Sequence, residues 1–179
     1  MNGPFTGNGS APSSGSASAP WPRERLVSEL QRRRAEGARV VLANGCFDLL
    51  HVGHARYLAA AKEPGEVLVV ALNDDASVRR LKGEGRPHTP LAERAELIGA
   101  LRVVDYVTSF SEDTLDVTLR LLRPDVHAKG TDYSAQNLPE AATNSELGIA
   151  LRFCGDTKSH STSSALRGRS LREPDRRES

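Results

Sequence analysis

Cysteine, aromatic residues and long apolar runs are all scarce in this sequence, and each scarcity removes a class of protein. The two cysteines, Cys46 and Cys154, fall in different segments and form no CxxC pair, so neither a zinc site nor a disulfide framework is indicated and both read as reduced thiols. No apolar run approaches the roughly 20 residues that a membrane-spanning helix needs, and the N-terminus lacks the basic-then-apolar order of a secretion signal. Charge of one sign is not in excess either, with 24 Lys and Arg against 23 Asp and Glu. Nucleic-acid and membrane surfaces usually carry a basic bias, so this balance turns the reading toward small-molecule chemistry in the cytoplasm.

What is present suffices for one domain. A chain of 179 residues can bury a real hydrophobic core, yet is too short for two ordinary domains once its ends are set aside. Residues 1–22 are almost wholly Gly, Ser, Ala, Pro, Asn and Thr, with only Phe5 and Trp21 as large apolar groups. That composition predicts a disordered arm. Residues 169–179 are densely charged and are expected to form a frayed tail, leaving 23–168 for the domain.

Within those limits, short apolar runs alternate with longer periodic stretches. Residues 23–36 read as a helix with Leu26, Val27 and Leu30 on one side. Strands are expected at 39–43, 66–72, 103–108, 125–129 and 150–153, and helices at 53–62, 75–81, 91–101, 113–122, 139–147 and 161–168. Pro90 stands just before Leu91, Ala95, Ile98 and Leu101, which recur at helical spacing. So regular an alternation predicts an α/β fold, a Rossmann-like parallel sheet with helices on both faces. Ligands of such sheets sit at the carboxyl ends of the strands.

Directly after the first predicted strand comes Asn44-Gly45-Cys46-Phe47-Asp48-Leu49-Leu50-His51-Val52-Gly53-His54, which leads straight into a helix. A helix N-terminus offers free N–H groups and the positive end of a dipole, and Gly53 lets backbone and phosphate approach closely. His51 and His54, three residues apart across one turn, can face the same phosphate oxygens. The plainer reading, a pair of capping or surface histidines, is disfavoured by the glycine between them and by the strand just before them. Cys46 reads as a small packed hydrophobe rather than a nucleophile. His88 reads as a loop residue and His127 as a core residue, while His160 either faces phosphates or caps a final helix.

The His51-Val52-Gly53-His54 segment after its GCFD element resembles the HxGH signature of the cytidylyltransferase-like nucleotidyltransferase superfamily. The likeness continues in order through Asn73 to Gly83, Arg86-Pro87, Pro90 to Arg94, Val104 to Val107, Arg123-Pro124-Asp125 and Lys129-Gly130-Thr131-Asp132-Tyr133. These elements resemble the adenylyltransferase half of the bacterial heptose 7-phosphate kinase/heptose 1-phosphate adenylyltransferase. Ser161-Thr162-Ser163 resembles that family's STT element, which opens the last helix and contacts nucleotide phosphates. The stretch 156–160 departs from the family's shorter, glycine-containing approach to that element. A cytidylyltransferase acting on a polyol or glycerol phosphate therefore stays open as the alternative.

The resemblance implies transfer of AMP from ATP to a sugar 1-phosphate, D-glycero-D-manno-heptose 1-phosphate, with release of pyrophosphate. The product would be ADP-heptose for lipopolysaccharide or another surface glycan, with Mg2+ carried by the nucleotide phosphates. An already ionised sugar phosphate needs no general base, so positioning and charge neutralisation are the work left to the protein. His51, His54 and Lys82 are the expected catalytic residues. Cys46, Phe47, Asp48, Gly53, Lys129, Gly130, Ser161, Thr162 and Ser163 are expected at the nucleotide, and Asn73, Asp75, Arg80, Arg86, Arg94 and Asp132 at the acceptor. Taken singly, Lys82, Arg86 and Arg94 read equally well as solvated charges or weak ion pairs with Glu84 or Glu93. The expected partners are ATP and a sugar phosphate, with no nucleic acid and no membrane, and the expected assembly is a homo-oligomer, a dimer. No kinase half accompanies these residues, so a separate kinase would supply the 1-phosphate. A regulatory module without turnover competes poorly against the intact histidines, and a dinucleotide oxidoreductase lacks its GxGxxG after the first strand.

Overall fold

Residues 40–43 and 67–72 are apolar without a break, as strands buried on both faces must be. In the computed structural model, which describes residues 19–155, they lie in β1 (Val40–Gly45) and β2 (Val67–Asn73). With β3 (Tyr106–Phe110), β4 (Val126–Gly130) and β5 (Ala150–Cys154) they form a five-stranded parallel sheet in the order β3-β2-β1-β4-β5. Six helices accompany it among the described residues: α1 (Arg23–Ala35), α2 (Val52–Lys62), α3 (Asp75–Lys82), α4 (Leu91–Gly99), α5 (Asp116–Leu122) and α6 (Ala141–Leu147). The helix and tail expected at 161–179, with His160, Ser161, Thr162 and Ser163, lie outside the described residues.

Alternation along the strands divides the core in two. Val41, Ala43, Leu68, Val70 and Leu72 join Leu58 and Ala61 of α2 and Ala95 and Ile98 of α4 on one face. Val40, Leu42, Val67, Val69 and Ala71 join Leu26 and Leu30 of α1 and Leu119 and Leu122 of α5 on the other. The expected sheet covered on both sides is therefore found. α1 is tied to α5 at both ends: Arg23 pairs with Glu112 and donates to Thr118 Oγ1, and Arg34 donates to the carbonyls of Leu122 and Arg123. Those carbonyls close a helix C-terminus, where a cation is favoured. Chain order places the reversal of winding between β1 and β4, and sheets of this kind bind ligands at that point, outside the carboxyl ends of those strands.

Two boundaries differ from expectation. β3 begins at Tyr106 rather than at 103, because Leu101 to Val104 closes as a turn whose Val103 and Val104 pack on the α2/α4 face. Trp21, placed with the arm on composition alone, belongs to the domain. Its N–H donates to the Val107 carbonyl at 2.7 Å and its carbonyl accepts from Thr108 Oγ1 at 2.8 Å. Its ring meets Tyr106 edge-on at 5.2 Å, with the Arg25 guanidinium 4.4 Å from its centroid. Backbone pairing at the outer side of β3 also shields part of an otherwise open strand edge.

One histidine sits inside the core. His127 of β4 is fully buried, between the side-chain amide of Asn144, 3.1 Å from Nδ1, and Asn44 Oδ1, 3.2 Å from Nε2. Burial, and then the charge of Lys129, push its pKa down to about 3, so the ring is neutral.

Replacing Trp21 by Ala should lower the melting temperature by about 5 °C, since roughly 2 kcal/mol of ring burial is lost and a domain of this size shifts by a few degrees per kcal/mol. An unchanged melting curve would show that the ring only rests on the surface. A second outcome concerns acid. Between about 6.5, the ordinary imidazole value, and the folded value of about 3, the unfolded His127 takes up a proton that the folded one refuses, so stability falls as pH falls through that window. The urea midpoint measured from pH 7 to 4 should decline, and His127→Gln should flatten the decline by close to one proton's share; an identical slope in the variant contradicts this.

Candidate active site

β1 delivers the chain to a sharp corner. Gly45 ends the strand, and a Cβ there would stand 3.0 Å from the ring of Phe47, so a larger residue would press the buried ring out of place and glycine gives the turn its room. Phe47 takes a left-handed conformation at φ 48°, an uncommon place for a bulky residue and one that concentrates at functional corners. Its ring is buried, 5.0 Å from that of His54 and 6.4 Å from that of Tyr57. Phe47, expected at the nucleotide, is thus a side chain of the core that shapes the corner.

Asp48 anchors the corner to the segment before α4. It is almost fully buried, accepting from Arg86 Nη1 at 2.5 Å and from the N–H groups of His88 and Thr89 at 2.6 and 3.1 Å. Burial alone would push its carboxyl up, but Arg86 and the two backbone donors outweigh it and hold the group below the usual carboxylate range. The pair therefore reads as a latch between two loops.

His51 is the N-cap of α2, and Val52, Gly53 and His54 form its first turn. The first N–H groups of a helix have no partner within it and carry its positive dipole end. The two imidazoles stack with centroids 3.8 Å apart and planes 23° from parallel. The His51 backbone N–H donates to His54 Nδ1 at 3.4 Å. Burial, and then the neighbouring His51, lower the His54 pKa to about 4. His54 is accordingly neutral at pH 7, and because Nδ1 accepts, its proton resides on Nε2. It offers a hydrogen-bond donor rather than a cation.

The second wall of the crevice is the end of β4. Lys129 is buried, and its Nζ donates to Asn44 Oδ1 at 3.2 Å, lies 4.3 Å from the centroid of the Tyr133 ring and stands 3.9 Å from Glu140 Oε2. Burial lowers its pKa while Glu140 and Asp132 pull it back up. At Gly130 a Cβ would fall 2.6 Å from Asp132 Oδ1, so the absent side chain leaves room for the Asp132 carboxylate over the strand end, and a larger residue there would push that carboxylate aside. Asn44 thus reaches from β1 to Lys129 on β4 across the point where the winding reverses.

Several residues expected at the acceptor are engaged elsewhere. The Arg94 side chain is wholly inaccessible: Nε donates to the Thr89 carbonyl at 2.9 Å, Nη1 to the carbonyls of Cys46 and Asn73 at 2.7 and 2.8 Å, and Nη2 to Asp75 at 2.6 Å. It braces the carboxyl ends of β1 and β2, and Asp75 serves as its counter-ion. Arg80 is half exposed and held by Asp113 and the Ser111 carbonyl on the loop after β3. Asn73 is buried at the end of β2, 3.7 Å from Cys46 Sγ, and burial raises the Cys46 thiol so that it stays protonated. Lys82 is exposed near Cys46, whose thiol feels its charge.

Asn44, Glu140 and Asn144 carry no site signature in the sequence; the pairing of β1 with β4 brings Asn44 to Lys129 and His127, and the placement of α6 brings Glu140 to Lys129 and Asn144 to His127. Among the described residues, no group of three or more His, Cys, Asp or Glu side chains is placed to hold a metal ion, and no helix is long and apolar enough to cross a membrane.

Known proteins can now be set beside this geometry. The chain is 49% identical over 132 residues to the bifunctional protein HldE of Halorhodospira halophila, a match covering 74% of this chain and 27% of that protein. With the bifunctional protein HldE of Streptomyces coelicolor the identity is 55% over 117 residues, covering 65% and 25%. The chain thus spans about a quarter of the length of these curated relatives. Among solved structures, the lipopolysaccharide core biosynthesis protein from Thermoplasma volcanium GSS1 is similar with a TM-score of 0.57 at 31% identity, over 68% of this chain and all of that one. These likenesses bear out the resemblance carried by the GCFD and HxGH elements and by the segments that follow them. The cytidylyltransferase-like family profile matches residues 42–168, from within β1 past the end of β5, and the chain belongs to that family.

Proposed function

We propose that this chain transfers AMP from ATP to D-glycero-D-manno-heptose 1-phosphate, releasing pyrophosphate and forming ADP-heptose for surface-glycan synthesis. The observation that carries the reading is the stacked His51–His54 pair in the first turn of α2, directly after the carboxyl end of β1, the strand that pairs with Lys129-bearing β4. The relatives among bifunctional HldE proteins and a lipopolysaccharide core biosynthesis protein support the choice of acceptor.

An ionised oxygen of the acceptor phosphate attacks the α-phosphorus of ATP. The bond from that phosphorus to the bridging oxygen breaks, and pyrophosphate leaves with the electron pair. No base is required, so the site works by holding the reactants in line and by placing donors where charge develops. His54 Nε2 and the open N–H groups of α2 supply donors, and the Lys129 ammonium supplies charge. Mg2+, when bound with the nucleotide, supplies further neutralisation of the triphosphate. Phosphate oxygens and water fit it as ligands here, because Asp48 and Asp75 are committed to Arg86 and Arg94. The same reading makes the protein cytoplasmic and a homodimer.

Replacing His54 by Ala removes one preorganised donor and leaves the core around Phe47 otherwise filled. Pyrophosphate release at pH 7.5 should fall about 10²-fold or more with the melting temperature within a few degrees of the parent. Near-normal turnover in a well-folded variant would remove the histidine pair from the mechanism.

A further inference from the structure

The proposed mechanism leaves one buried carboxylate unused. Glu140, at the start of α6, is 4% exposed. Its Oε1 accepts from the Leu115 N–H at 3.0 Å. Its Oε2 has no hydrogen-bond partner among the described residues and lies 3.9 Å from Lys129 Nζ. A buried carboxylate oxygen without a donor is costly unless a cation faces it. Here the cation is Lys129.

The contact belongs to a closed circuit. Lys129 Nζ donates to Asn44 Oδ1, which also accepts from His127 Nε2. An amide oxygen only accepts, so in bonding Asn44 Oδ1 the neutral His127 carries its proton on Nε2; its Nδ1 then accepts from Asn144 Nδ2 at 3.1 Å, and Asn144 Nδ2 also donates to the Glu140 carbonyl at 2.7 Å. Asn44 of β1 and Glu140 at the start of α6 thus flank the Lys129 ammonium, and His127 and Asn144 tie the two together. Four groups face that ammonium: Glu140 from α6, Asp132 and Tyr133 from the loop after β4, and the neutral His127 from β4 itself. Of these, Glu140 is the buried carboxylate.

We infer that Glu140 is a positioning residue: its carboxylate, with Asn44, holds the Lys129 ammonium at the carboxyl end of β4 where the nucleotide phosphates would lie. This deepens the proposed reaction and rests on it. Glu140 touches no substrate and acts through Lys129. A lysine buried without its counter-charge gives up its proton more easily, and a neutral amine cannot neutralise phosphate.

Glu140→Gln keeps the shape and the acceptor for the Leu115 N–H but removes the charge. The first readout needs no substrate: competitive acetylation of Lys129 by acetic anhydride across pH 6–11 on the full chain, followed by mass spectrometry with the exposed Lys82 as reference. The half-titration point of Lys129 should fall by about one pH unit or more in Glu140→Gln, and Glu140→Asp should lie between variant and parent. The second readout is kcat/KM for ATP from pH 6 to 9: the variant should lose about tenfold at pH 7.5 and progressively more relative to the parent as pH rises. An unchanged Lys129 titration, or a pH profile parallel to the parent, overturns the inference. Where Glu140→Gln does not fold, Glu140→Asp carries the test on the same terms. A chain that turns over no sugar phosphate fails the functional reading, yet the acetylation still decides the role of Glu140.

Discussion

A single buried guanidinium holds the working edge of this sheet together. Arg94 satisfies the carbonyls of Cys46 and Asn73, the residues at which β1 and β2 give way to loops, and at the same time binds Thr89 and Asp75. Parallel strands end with carbonyls that have no partner beyond the ladder, and leaving two of them buried and unpaired would be costly. A lysine could not replace it, because only the planar fork of arginine reaches several acceptors in fixed directions. The Phe47 turn and the Asp48 latch follow directly on Cys46, and the latch shares Thr89 with that brace.

In the proposed reaction the electrostatic work divides between two unlike groups. His54 is kept neutral by burial and by His51, so it contributes a fixed dipole at a helix start and does not repel the cations that accompany a triphosphate. Lys129 contributes the net charge, and its buried position means that charge is felt strongly but must be maintained by neighbours. Asn44 connects the halves, accepting at once from Lys129 and from His127. Preorganisation of this kind suits a reaction whose nucleophile arrives already ionised.

Much of this was legible in the residues. Unbroken apolar runs marked β1 and β2, helical spacing after Pro90 marked α4, and the GCFD and HxGH elements marked the corner itself. What escaped followed from long-range pairing. Arginine is rarely buried, so Arg94 reads as a charge for substrate until the strand ends are seen to need it. Trp21 reads as part of a polar arm because the backbone of β3 that it pairs with lies far along the chain. Glu140 and Asn144 carry no local signature; their significance arises only when α6 packs beside β4. Val103 and Val104 looked like strand because burial, not extension, is what their apolarity reports.

The central claim is that the β1–α2 corner serves transfer of a nucleotidyl group from ATP. Its most direct test is to supply the chain with D-glycero-D-manno-heptose 1-phosphate, Mg2+ and ATP labelled with 32P at either the α or the γ position, alongside α-labelled CTP. The account predicts that α-label from ATP appears in a sugar nucleotide, that γ-label appears only in pyrophosphate, and that CTP yields far less product. Label from the γ position in the sugar, or a preference for CTP, would contradict it.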